Sequence, residues 1–147
     1  MTTIADLMTR NPVTVGPDDT VQRAAQLMDE LNVGSLPVCL GTRLLGIVTD
    51  RDITVRATAA GLNPASTTVD LVMSDRVRCC SQQQTAAEVL RQMSSVQIRR
   101  MPVLDEQARL VGIVALGDMA ARQPEGVQET LRRISTPSEP DRTALAA

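Results

Sequence analysis

Leu45-Gly-Ile-Val-Thr-Asp-Arg-Asp-Ile53 decides how this chain is read, because it recurs as Val111-Gly-Ile-Val-Ala-Leu-Gly-Asp-Met119. Each copy is an apolar run suited to a buried strand that leads straight into a helix start. Each also keeps an aspartate six residues after the glycine, so Asp52 and Asp118 occupy equivalent places in two copies of one unit. Working outward, Met8, Thr20, Met28, Val33 and Pro37 align with Met73, Thr85, Met93, Ile98 and Pro102 at a constant offset of 65. From Gly46 to Gly112 the offset is 66. The added residue belongs in a hairpin, where Cys39-Leu-Gly-Thr-Arg43 becomes Leu104-Asp-Glu-Gln-Ala-Arg109. Turn tips absorb insertions at least cost, and a fixed period marks an internal repeat.

Each copy reads as a short helical lead-in (4–8 and 69–73) followed by strand, helix, strand, strand, helix. The short extended pieces are Val13–Val15 and Arg78–Cys80. The first main helix carries Val21, Ala24, Ala25, Met28 and Leu31 on one stripe, and its counterpart carries Ala86, Val89, Leu90, Met93 and Val96. Thr85-Ala-Ala-Glu88 is a capping box, in which hydroxyl and carboxylate each satisfy the other residue's amide. Leu36–Leu40 is expected to pair with Leu44–Val48, and Met101–Leu104 with Leu110–Val114, as strands buried on both faces. Second helices are expected over 50–60, stopped by Gly61, and over 117–122. Glu125–Ile134 predicts a last amphipathic helix through Val127, Leu131 and Ile134, and the polar, proline-bearing 135–147 reads as disordered. The division is therefore 1–66, 67–124 and a tail of 125–147. A repeat of about 60 residues struggles to bury a core alone, so two α+β repeats, each βαββα, are expected to pack sheet to sheet.

Composition narrows the function. The 147 residues are 43% apolar and 22% charged, values that suit a globular chain rather than a disordered one. A net charge of -2 and the absence of Phe, Tyr and Trp disfavour nucleic acid, since neither phosphates nor unpaired bases find their usual partners. The absence of His removes the commonest general base and metal ligand, and no phosphate loop or Cys/His metal spacing is present. Catalysis and a metal are not expected. No apolar run reaches the roughly 20 residues of a membrane span, and Met1–Asp6 does not read as a signal peptide, so a cytoplasmic location with no membrane role is expected. Cys39, Cys79 and Cys80 do not suggest a disulfide framework; adjacent cysteines in a strand point to opposite faces. They read as small buried hydrophobes, with redox sensing as the other reading.

The order of elements, with hydrophobic-Pro-Val before each hairpin and Gly-h-h-Thr-x-x-Asp after it (h apolar), resembles a tandem pair of CBS domains over about residues 4–122. It is similar to the small stand-alone bacterial CBS-pair proteins. That resemblance implies a pseudo-two-fold pair with a cleft between repeats, a homodimer, a stress-response role, and an adenosine ligand such as AMP, ADP or ATP. It also implies site residues. Thr49 and Asp52 match the motif in full; in the second copy Asp118 is kept but Ala115 replaces the hydroxyl. Arg99 and Arg100, before the second hairpin, are implied as phosphate contacts, whereas the first copy has Gly34-Ser35 there. Val13 and Val15 would border the base.

The chemistry stands beside the resemblance. A carboxylate can accept two hydrogen bonds from a vicinal diol, which suits Asp52 to ribose. Amides opening the helix at Asp50, with Arg51, Arg99 and Arg100, would suit phosphate. Thr49-Asp50-Arg51-Asp52 also reads as a plain helix cap, Thr-x-x-acid, with no ligand. Two functions follow: a sensor of an adenosine ligand, or a ligand-free homodimer that engages another protein.

Overall fold

The computed structural model describes residues 2–122 and 125–135. Its elements are α1 (Ile4–Leu7), β1 (Thr9–Arg10), α2 (Val21–Leu31), β2 (Ser35–Leu40), β3 (Arg43–Thr49) and α3 (Asp50–Asp52), which runs on as a π-helix over Ile53–Thr58. After a 3₁₀ turn at Val69–Leu71 come β4 (Cys80–Ser81), α4 (Ala86–Val96), β5 (Arg100–Leu104), β6 (Leu110–Ala115), α5 (Leu116–Arg122) and α6 (Val127–Ile134). The expected βαββα order is found twice. The expected tail beyond residue 135 lies outside the described residues.

The chain forms two compact units, and these divide it differently from the sequence repeat. One unit comprises residues 11–78 and 106–111; the other comprises the described residues of 1–10, 79–105 and 112–147. The lead-ins are exchanged: 69–74 stays on the strands of the first copy, and 4–10 packs on those of the second. The two docking modes match residue for residue. The Val69 and Asp70 amides donate to the carbonyls of Asp19 and Pro17 (2.8 and 3.1 Å), and the Ile4 and Ala5 amides donate to those of Gln84 and Gln82 (2.9 and 3.0 Å). Val69 and Val72 are fully buried in one unit, Ile4 and Leu7 nearly so in the other. Each such side chain contributes roughly 1.5–3 kcal/mol by leaving water.

In the 1–10/79–105/112–147 unit the strand order is β1-β6-β5-β4, with β1 antiparallel to β6 and β4 parallel to β5. In the 11–78/106–111 unit β2 and β3 are antiparallel, flanked by a parallel bridge Val15↔Val38 and an antiparallel bridge Ile47↔Ser74. The same four-strand order is thus present, with single bridges in place of the edge strands. The extended pieces are shorter than expected: Val13 lies outside any strand, and pairing in the second copy starts at Cys80 rather than Arg78. Leu36, Pro37, Val38 and Cys39 are all buried, as a strand covered on both faces requires.

Three helices differ from the sequence pattern. In α2 the buried residues are Val21, Ala24 and Met28, while Ala25 is exposed and Leu31 is 42% exposed. In α6 the residue driven inward is Thr130, whose hydroxyl donates to the Gly126 carbonyl at 3.0 Å; Leu131 is 42% exposed. A polar residue tolerates burial once its hydroxyl is satisfied, so hydropathy alone misassigned that face. The helix after β3 ends as helix at Thr58 and is π-wound, which periodicity cannot foresee.

Both motif glycines sit where a side chain has no room. A Cβ on Gly46 would lie 2.5 Å from the Ser74 carbonyl oxygen, and one on Gly112 would lie 2.5 Å from the Met8 sulfur and 2.8 Å from the Thr9 carbonyl oxygen. Glycine inside a strand here marks close approach of another backbone. Gly46→Ala and Gly112→Ala are each expected to lower stability by about 1–3 kcal/mol, because the lead-in must move away. Thermal or urea unfolding checks this, with Gly41→Ala, which meets nothing within 4 Å but has φ of +65°, as the backbone-strain comparison.

Candidate functional site

Each candidate aspartate stands at the turn from a strand into a helix. In the first turn the Thr49 hydroxyl accepts the Asp52 amide at 3.0 Å, and Asp52 Oδ2 accepts the Thr49 amide at 3.0 Å. This is a complete capping box, so the plain-cap reading of Thr49 is realised in the structure. In the second turn the hydroxyl is missing, yet Asp118 Oδ2 still accepts the Ala115 amide at 2.9 Å. Both aspartates are half-buried, and among the described residues Oδ1 of each accepts no hydrogen bond. One oxygen therefore fixes the rotamer while the other remains an acceptor.

The amides opening the first helix are not available to a phosphate, contrary to the sequence expectation. Asp50 N–H donates to the Gly34 carbonyl at 3.0 Å, Arg51 N–H to Asp50 Oδ1 at 2.8 Å, and Asp52 N–H to Thr49. Gly34 also makes room for the Asp50 carboxylate, since a Cβ there would lie 3.2 Å from Asp50 Oδ2. The second turn repeats the link: Leu116 N–H donates to the Arg99 carbonyl at 2.8 Å, which places Arg99 beside the Asp118 turn.

The remaining candidates divide by unit. Arg51 is exposed near Thr49 and Asp52; Arg99 and Arg100 are both exposed and accompany Asp118 in the other unit. Val13 is 45% exposed, but Val15 is 2% exposed and its side chain belongs to the core cluster with Val21, Leu36 and Val38. A hollow of about 510 Å³ between α4 and α6, lined by Leu90, Arg91, Ser94, Glu129 and Arg133, holds none of the candidate residues.

Two arginines that the sequence reading passed over belong to these turns. Arg56 Nη1 donates to the carbonyls of Val72 and Met73, both at 3.1 Å, and Arg122 Nη1 donates to the Asp6 carbonyl at 2.7 Å. They are equivalent at the same offset of 66 that relates the glycines, so the repeat alignment held the signal.

The family model for the CBS domain matches twice, over residues 4–57 and 69–125. The chain belongs to the CBS-domain family. It is 43% identical over 123 residues to the CBS domain-containing protein YhcV of Bacillus subtilis, covering 84% of this chain and 86% of that one. It is 38% identical over 139 residues to hypoxic response protein 1 of Mycobacterium tuberculosis, covering 93% and 96%. The crystal structure of hypoxic response protein I with two coordinated zinc ions superposes with a TM-score of 0.74 at 40% identity, over 82% of this chain and 98% of that one. The CBS domain pair of MJ0100, in complex with 5′-methylthioadenosine and S-adenosyl-L-methionine, superposes with a TM-score of 0.70 at 26% identity, over 82% and 94%. An inosine-5′-monophosphate dehydrogenase of Methanocaldococcus jannaschii also matches, but over only 25% of its length. No helix among the described residues is long and apolar enough to cross a membrane.

The three cysteines are thiols, Cys39 and Cys80 buried and Cys79 half-buried. Cys80 is 4% exposed, its Sγ lies 3.7 Å from the Pro102 carbonyl oxygen, and burial, reinforced by neighbouring Cys79, pushes its pKa up to about 12. Burial raises Cys39 and Cys79 as well. A thiol held neutral in the fold contributes stability that is fully present below its unfolded pKa and is lost as pH rises toward the folded one. For Cys80 that window runs from the ordinary thiol value of 9.0 to about 12. Native Cys80 is expected to resist iodoacetamide at about pH 8 and to react on unfolding, with adducts located by mass spectrometry.

Proposed function

We propose that this CBS pair is a regulatory, non-catalytic module that binds an adenosine-containing ligand of the AMP, ADP or ATP class at the aspartate turns. The observation that carries the reading is the doubly repeated carboxylate, held by Oδ2 and presenting Oδ1. A pre-fixed acceptor meets ribose hydroxyls without losing rotamer freedom on binding. The adenosine ligands of the MJ0100 pair support the ligand class. The dehydrogenase relative matches through a quarter of its length, which supports a regulatory rather than catalytic role. Phosphate contact in this reading falls to Arg51 on one turn and to Arg99 and Arg100 on the other, since the helix-opening amides of the first turn are occupied.

Zinc does not fit the donor set of this chain. It contains no His, and among the described residues no three His, Cys, Asp or Glu side chains group to hold a metal ion. We extend the reading to a homodimer, which the exposed apolar residues Leu31 and Val55 on the helices of the first copy support. A ligand-free interaction module is the second reading, favoured by Ala115 and by the filled amides around Asp50.

Absorbance separates the two. With no Phe, Tyr or Trp the chain is nearly transparent in the near-ultraviolet, so a co-purified purine would stand undisguised. The ligand reading predicts a purine band that survives desalting and leaves on denaturation. It also predicts saturable binding of AMP, ADP or ATP by calorimetry. Asp52→Asn keeps an oxygen for the Thr49 amide but replaces the other acceptor with a donor, so binding at the first turn should weaken by about tenfold or more with little change in melting temperature. A flat spectrum together with no heat for any of the three nucleotides overturns the reading in favour of the interaction module.

A further inference from the structure

We infer that Arg56 and Arg122 are positioning residues that clamp each aspartate turn to the lead-in strap lying across it. Each arginine follows its aspartate by four residues, about one helical turn along the same face. Arg56 reaches the carbonyls of Val72 and Met73, at the end of the 3₁₀ turn, and Arg122 reaches that of Asp6 near the end of α1. On the near side of the turn the strap is held again. Ile47 and Ser74 exchange both backbone hydrogen bonds at 2.9 Å, and Thr9 and Arg10 pair with Ile113 and Gly112. The strand two residues before Thr49 and the helix four residues after Asp52 therefore grip one short segment, Val72–Ser74. The turn cannot slide along the helix axis without breaking one grip.

The residue type suits the task. Carbonyls at the end of a helical turn carry partial negative charge and lack intrahelical partners. A planar guanidinium can donate to two of them from one nitrogen face, whereas an ammonium acts as a point charge. The glycine, the strap and the arginine then form one device. Gly46 or Gly112 lets the strap come close, and Arg56 or Arg122 holds it against the helix that carries the carboxylate. Nothing in this geometry requires a ligand, but its consequence for binding rests on the ligand reading above, because it is Oδ1 of Asp52 or Asp118 that the clamp sets in place.

The test uses the full-length protein with Arg56→Gln, Arg56→Lys and Arg122→Gln, read by backbone hydrogen exchange and by titration with AMP. Arg56→Gln is expected to speed exchange of the Ser74 and Asp52 amides by about tenfold while leaving the Ala115 amide unmoved. Arg122→Gln should do the reverse, and Arg56→Lys should fall between. In an Asp118→Asn background, which leaves the Asp52 turn as the site, Arg56→Gln should weaken AMP by about tenfold. Exchange that is unchanged, or that rises uniformly through both units with a lower melting temperature, overturns the clamp. Equal AMP affinity with and without Arg56, in a protein that binds AMP, also overturns it. If wild type binds no AMP while Arg56→Gln still loosens only its own turn, the clamp stands and the ligand reading fails.

Discussion

Where the lead-in straps cross β3 and β6 there is no room for a Cβ, and much of the local architecture follows from that exclusion. The Ser74 carbonyl oxygen would stand 2.5 Å from a Cβ at Gly46, and Met8 and Thr9 crowd Gly112 in the same way. Close approach lets the strap pair with the strand, and pairing brings Val69 and Val72, or Ile4 and Leu7, under the helices where they are buried. Glycine weakens a strand interior, so its presence in two apolar runs is explained by the backbone it admits. The next strand residues lead directly to the aspartate turns, which inherit their placement from this contact.

At those turns one carboxylate serves two demands. Oδ2 closes the backbone of the strand-to-helix turn, and this part survives the loss of the hydroxyl at Ala115. The aspartate is therefore justified by local structure even without a ligand. What capping leaves over is Oδ1, an acceptor that no hydrogen bond among the described residues uses. The amides around Asp50 are occupied too, by the Gly34 carbonyl, Asp50 Oδ1 and the Thr49 hydroxyl, so the turn offers acceptors rather than donors.

The two copies have diverged around this common device. The helix after Asp52 is π-wound over Ile53–Thr58, whereas that after Asp118 is regular α. Leu90 of α4 is buried, with Gly126 packed close to it ahead of α6, while its counterpart Ala25 on α2 is small and exposed. A C-terminal helix on one unit thus goes with a larger apolar residue beneath it. The caps of the two main helices stayed alike: Thr20 and Thr85 each accept an amide three residues on, and Asn32 and Gln97 each close the helix at positive φ.

The sequence by itself determined the repeat, the βαββα order, the buried hairpins and the equivalence of Asp52 with Asp118. These follow from hydrophobic period, turn residues and capping patterns, which act over a few neighbouring positions. It also held the equivalence of Arg56 with Arg122, though a charged residue on a helix carries no sign of its partner. Only the tertiary structure decided which strands each lead-in joins, because an apolar pair such as Ile4 and Leu7 fits either sheet by pattern alone. It decided the buried face of α6, where a satisfied threonine displaced a leucine, and it filled the Asp50 amide from Gly34, a partner sixteen residues back. Long-range partners of backbone polar groups have no local signature, since every residue but proline offers the same donor and acceptor.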